Sequence, residues 1–295
     1  MPQSTTEKNK KNISWQSPIS AKKPGKEKDD LEQYGGDDRI VSSAEWLGEH
    51  DNEPAFLFSL KSRIPRLDRA VDGFRDGELI TISGFTKMGK TLLAKTFTDA
   101  FVKQQFLPLW FTYEVPTKQF LSDWKKCPLF WLPRVHMGSS MSWFLERCEE
   151  SFLKNGTRII FIDHLHYLFD LARTRSPSLE IGQVVRTLKM IATRNSLLIF
   201  LLCHTSKNSD NQEEPTYHDL RDSSFMAQES DSVLMIHRLE ETNQAKLWVE
   251  FHRRTGVVRR EIPLQMQETG LLGEMAGEYR EEKAWKKDDS ERRFP

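Results

Sequence analysis

The stretch ELITISGFTKMGKTLLAKTF, from Glu78 to Phe97, decides the fold. Leu79, Ile80 and Ile82 suit a buried strand, and Gly84-Phe85-Thr86-Lys87-Met88-Gly89-Lys90-Thr91 keeps the GxxxxGK[ST] spacing without substitution. Leu93, Phe97, Ala100 and Phe101 then recur at three- and four-residue steps, the buried stripe of a helix. A strand, a glycine loop and a helix start in immediate succession predict a phosphate cradle. The two glycines let the backbone wrap an anion with its N–H groups turned inward, and the helix adds the positive end of its dipole. In such a cradle Lys90 reaches the β- and γ-phosphates of a bound nucleotide, and the Thr91 hydroxyl holds Mg²⁺.

Outward from this stretch, strand-like runs alternate with helical ones. Leu107 to Tyr113 stops at Glu114, Arg158 to Ile162 at Asp163, and Leu197 to Cys203 at His204. Helical patterns fill about 117–155, broken by Pro128 and Pro133 and ended at Gly156, and about 179–195. Three further strands are expected at Val233 to His237, Lys246 to Phe251 and Val257 to Ile262. The alternation predicts an α/β fold with a mostly parallel sheet flanked by helices, right-handed crossovers and chemistry at the carboxyl ends of the strands. Lys90, Thr91, Glu114, Asp163 and His204 then share one edge. Asp163 after an apolar run suits a Mg²⁺ partner, Glu114 a base for attacking water, and His204 a group that senses or polarises the γ-phosphate. Taken singly, each could be a helix cap or a satisfied loop residue. Their order after a phosphate loop points to function. Asp163, His164 and His166 are not expected to bind zinc, because neighbours on extended chain point apart and no Cys or further His lies near in sequence.

The 295 residues divide by composition into a disordered arm (1–38), a linker with a short helix (39–62), the α/β domain (63–275) and a charged tail (276–295). Ser42 to Glu45 is a possible capping box starting a helix that carries Trp46 and Leu47, which need a partner surface on this domain or on a neighbouring copy. Lys and Arg number 43, as do Asp and Glu, so nucleic acid can be held only by local loops and not by a whole-chain field. The three widely spaced cysteines suit a reducing compartment, and the absence of a long apolar run or secretory signal suits a cytoplasmic or nucleoid-associated protein.

Motif by motif the chain resembles the RecA-fold motor domain of hexameric replicative DNA helicases, the DnaB type and more closely the phage primase-helicase and Twinkle type. FTYEVP (111–116) is similar to the segment with that family's catalytic glutamate. IIFIDHLHYL (159–168) resembles its Walker B strand, including the Asp-His pair of the phage type, and CHTSK (203–207) the strand end with a phosphate-sensing histidine. DLRDSSFMAQESDSVLMIHR (219–238) is similar to the DNA-loop motif, with Asp219, Leu220, Arg221, Gln228 and Asp231 at matching places. HRRTG (252–256) resembles the segment that supplies an arginine finger, Arg253 or Arg254 by two alignments one residue apart. Ser223-Ser224 replaces a pair that usually contains glycine, and the lysine of the family's KxR is missing.

The resemblance, from about Arg63 to Leu272, implies a RecA-like P-loop NTPase that binds ATP and Mg²⁺ between subunits of a hexameric ring. Lys207 and Arg221, with Arg173 and Arg175, would hold single-stranded DNA, and primase or other replication proteins would be partners. No primase or helical domain is expected ahead of the motor. A competing reading from the same residues is a RecA-like DNA-binding ATPase acting as filament, loader or switch without unwinding; a third is a degenerate ATP-binding module.

Overall fold

A computed structural model of the chain describes residues 15, 35–36, 39–134, 140–164, 177–204, 226, 228–239 and 242–275, with the side chains of 177–179 excepted. Within it the phosphate-loop strand, β3 (Leu79–Gly84), occupies the middle of an eight-stranded sheet. On one side lie β6 (Leu198–His204), β5 (Ile159–Asp163) and the edge strand β4 (Leu109–Thr112), all parallel to it. On the other lies β7 (Ser232–Arg238), also parallel, followed by β8 (Gln244–His252), β9 (Val257–Met266) and β10 (Leu272–Glu274) in antiparallel succession. A two-stranded ribbon of β1 (Ser59–Leu60) and β2 (Phe74–Arg75) precedes the main sheet in sequence, with α2 (Pro65–Val71) between its strands.

The continuous apolar runs become intelligible once both faces are covered. Ile80 and Ile82, Ile159 and Phe161, and Leu198, Phe200 and Leu202 pack with α2 and α3 (Lys90–Lys103). The alternate residues Leu79, Ile160, Ile162, Ile199, Leu201 and Cys203 pack with α5 (Met141–Asn155) and α6 (Pro177–Arg194). Two helical layers therefore enclose the sheet, the condition under which parallel strands lose their polar face. Aromatic rings fill the first layer: Phe161 stacks on Phe200 at 4.7 Å and on Trp110 at 4.6 Å between centroids. The Trp110 indole N–H is satisfied by Thr98 Oγ1 at 2.9 Å, so a large ring is buried without an orphaned donor.

Helix limits follow local chemistry. Ser140 Oγ accepts from Trp143 N–H at the start of α5, and Gly156, at φ 66°, closes it in the left-handed conformation that glycine adopts freely. Pro116 caps α4 (Thr117–Ser122) from just outside, whereas its sequence position suits the first residue of that helix. In α1 (Ser43–His50) Ser42 Oγ accepts from Glu45 N–H, half of the expected capping box, while Arg39 pairs with Glu45 and Glu49. No residue of α1 is buried, and Trp46 and Leu47 are 52% and 62% exposed. Within the stretch expected to be a disordered arm, Trp15 is half-buried and meets Phe152 edge-on at 5.5 Å. Among the described residues no helix is long and apolar enough to cross a membrane.

Candidate active site

Because β3, β4, β5 and β6 run in parallel, their carboxyl ends meet at one edge, and the groups that terminate them converge. Lys90, at the start of α3, turns its ammonium onto the carbonyls of Gly84 (3.0 Å) and Phe85 (2.9 Å) and onto His204 Nδ1 (2.9 Å). Thr91 Oγ1 donates to Asp163 Oδ2 at 3.1 Å. His204 Nε2 lies 3.8 Å from Glu114 Oε1. The five groups drawn from four segments of sequence thus gather at one place.

The loop itself is shaped for a close approach. A Cβ on Gly84 would collide with the Ile236 carbonyl of β7, so only glycine lets the loop pack there. Gly89, at φ 98°, caps α3 without a side-chain hydrogen bond, while Thr86 and Lys87 are exposed at the loop tip. A helix N-terminus behind a glycine loop fits a phosphate. The hydroxyl of Thr91 and the carboxylate of Asp163 form a hard oxygen pair that fits Mg²⁺ and not a softer metal.

Burial sets the charges against their solution values. Asp163 is 3% exposed; burial, reinforced by the Glu114 charge, raises its pKa to about 6, although Thr91, Lys90 and Lys95 pull the other way. Burial lowers Lys90 to about 8, opposed by the charges of Glu114 and Asp163. Both groups are therefore charged between about pH 6 and about pH 8.

His164, adjacent to Asp163, stands apart from His204 in sequence. In space its ring lies 4.3 Å from that of His204, because β5 and β6 are neighbours and His164 turns aside at φ 90°. The premise that no further histidine lies near therefore fails in three dimensions. Asp163 itself faces Thr91, and His166 lies outside the described residues.

Arg253 and Arg254 occupy the opposite end of the sheet. β8 runs antiparallel to β7, which places His252 beside Ser232, and Ser232 pairs with Ile80 near the start of β3. From there to Gly84 the strand extends roughly 13 Å at about 3.3 Å per residue, beyond the reach of an arginine toward its own phosphate loop. The two arginines also differ. Arg254 donates to Glu78 Oε1 (2.9 Å), Asp72 (3.4 Å) and the carbonyls of Val71 (2.9 Å) and Gly73 (2.7 Å). Arg253 donates instead to the carbonyls of Ser230 (2.8 Å) and Gln228; both arginines are exposed. Asp231, a DNA-loop match by sequence, accepts from Leu79 N–H (2.7 Å) and pairs with Lys189 (2.6 Å), a latch at the start of β3 that sequence reasoning missed. Lys207, Arg221, Arg173 and Arg175 lie outside the described residues.

Sheet order and loop geometry define a RecA-like P-loop fold, and two solved structures share it. One is a DnaB-like replicative helicase studied with its interactions with primase (TM-score 0.65, 18% identity, 79% of this chain and 67% of that one). The other is an ATPase domain (TM-score 0.67, 18% identity, 79% of this chain and 97% of that one). Residues 135–284 match the family model for the DnaB-like helicase C terminal domain, and the chain belongs to that family. It is similar to a probable replicative DNA helicase of Trieres chinensis, 27% identical over 222 residues, covering 62% of this chain and 48% of that protein. The replicative DNA helicase DnaB of Pasteurella multocida is 24% identical over 214 residues, covering 60% and 46%. The chain therefore spans about half the length of these curated relatives.

Proposed function

We propose that the chain is an ATP-dependent DNA helicase motor of the replicative type, hydrolysing ATP where copies meet and moving on single-stranded DNA. The observation that carries the reading is the split arrangement: phosphate-handling groups gather at one edge of the sheet, and the exposed Arg253 sits at the other, out of reach of its own loop.

On ATP binding Lys90 leaves the Gly84 and Phe85 carbonyls for the phosphates, which compensate its burial better than neutral acceptors do. Thr91 and Asp163 would hold Mg²⁺, whose chemistry when bound is to neutralise charge on the β- and γ-phosphate oxygens. Glu114 accepts the proton of the attacking water, and His204, released by Lys90, reads the γ-phosphate. Arg253 of a neighbouring copy completes the charge around the transferred group. Arg254, held by Glu78 and three further acceptors, stays as a structural tie. The uncovered Trp46 and Leu47 of α1 supply an apolar contact between copies, with a hexameric ring as the assembly and primase or other replication proteins as partners. Lys207, Arg221, Arg173 and Arg175 would hold the phosphates of the DNA strand.

An ATPase and strand-displacement assay tests this reading. DNA-stimulated hydrolysis and unwinding that both vanish in Lys90→Ala are expected; unwinding retained in that variant would refute it.

A further inference from the structure

The geometry points to a second metal site beside the Mg²⁺ pair, formed by Glu114, His164 and His204 and suited to a transition-metal dication such as Zn²⁺. One ligand atom from each of these residues lies within 4.8 Å of the other two. A tetrahedral zinc ion with bonds near 2.0–2.2 Å needs donors roughly 3.3–3.6 Å apart, so closing the triangle takes about an ångström of side-chain movement. Three elements make the cluster: Glu114 follows β4, His164 follows β5 and His204 ends β6. Their parallel order brings the ligands to the same edge without help from sequence proximity.

Two features raise this above a chance gathering. His164 holds φ 90°, a conformation that costs a side-chain-bearing residue energy and that here sets its imidazole against His204. The donor set is also selective. Two imidazoles and one carboxylate form the three-ligand pattern of open zinc sites, with a fourth position left for water, whereas the neighbouring Thr91 and Asp163 offer only oxygen. Mg²⁺ favours the oxygen pair and Zn²⁺ or Co²⁺ the imidazoles, so the sites sort their ions by chemistry.

Lys90 is the competing cation, 2.9 Å from His204 Nδ1. A metal on Nε2, the nitrogen facing Glu114, requires the ring to carry its proton on Nδ1. Lys90 then keeps its other acceptors, the carbonyls of Gly84 and Phe85, and gives up the histidine. The ion would fix Glu114 and His204 to each other. On the hydrolytic reading above, on which this consequence alone rests, zinc would therefore inhibit ATP cleavage reversibly.

Titration of the nucleotide-free full chain with Co²⁺ in excess Mg²⁺, followed by the visible absorption of low-symmetry cobalt, tests the site. One equivalent should bind with imidazole-type spectra and be displaced by Zn²⁺. His164→Ala and Glu114→Gln should each weaken binding at least tenfold while circular dichroism remains native, and Cys127→Ser, removing the exposed thiol, should leave it unchanged. Absence of binding, or binding indifferent to His164 and Glu114, would overturn the assignment. Zinc inhibition is then scored against each variant's own zinc-free rate. Native binding without inhibition would leave the site standing and count against the roles given to Glu114 and His204.

Discussion

Lys90 and Asp163 carry the sharpest consequences at the scale of single residues. Asp163, with a pKa of about 6, must lose its proton to bind a cation, and Lys90, with a pKa of about 8, must keep its proton to bind phosphate. The pH dependence of kcat/KM should therefore be bell-shaped, falling as pH drops below about 6 and as it rises above about 8. A profile flat from about pH 5 to about pH 9 would contradict these roles. Arg253 and Arg254 should separate by kind of defect. Arg253→Ala is expected to lower hydrolysis by about 10³-fold or more with little change in unfolding midpoint. Arg254→Ala removes donors from Glu78, whose burial opposes its charge but whose hydrogen bonds from His252, Arg75 and Arg254 hold its pKa below the ordinary value. That variant should lose about 2 kcal/mol of stability, read by urea unfolding. Sequence spacing named the cluster from Lys90 to His204, because each member follows a recognisable apolar run. It left Arg253 and Arg254 open, and it could not find His164 beside His204, which depends on strand order.

Among elements, the central strands were legible because runs such as Leu197 to Cys203 admit little else between a helix end and a polar loop. Which side chain faced which layer was not, since a strand covered on both faces has no polar alternation to read. β1, β2 and β10 were not legible because two or three residues carry no period. The helix ends at Gly156 and Ser42 were visible because capping is local chemistry. Packing between layers should be sensitive at Phe200, fully buried and in contact with Phe74, Phe97, Phe101 and Phe161. Phe200→Ala should cost about 3–5 kcal/mol in denaturant unfolding, while the exposed Leu153→Ala on α5 should cost far less. Equal losses would mean that the α2–α3 face of the sheet is not organised around this aromatic cluster.

For the whole molecule, the proposed assembly draws on the uncovered face of α1 and on the placement of Arg253 at the end of the sheet away from its own phosphate loop. Trp46→Ala with Leu47→Ala should therefore reduce the sedimenting assembly and the hydrolysis rate together, although both residues lie far from Lys90 in sequence. The central claim is that one copy's guanidinium completes another copy's site, and mixing two inactive variants tests it directly. Lys90→Ala retains the arginine and Arg253→Ala retains the phosphate loop, so an equal mixture should recover activity at about a quarter of its interfaces. Restored DNA-stimulated hydrolysis in the mixture, absent from either variant alone, is the expected result; a mixture that forms the native assembly yet stays as inactive as its components would contradict the account.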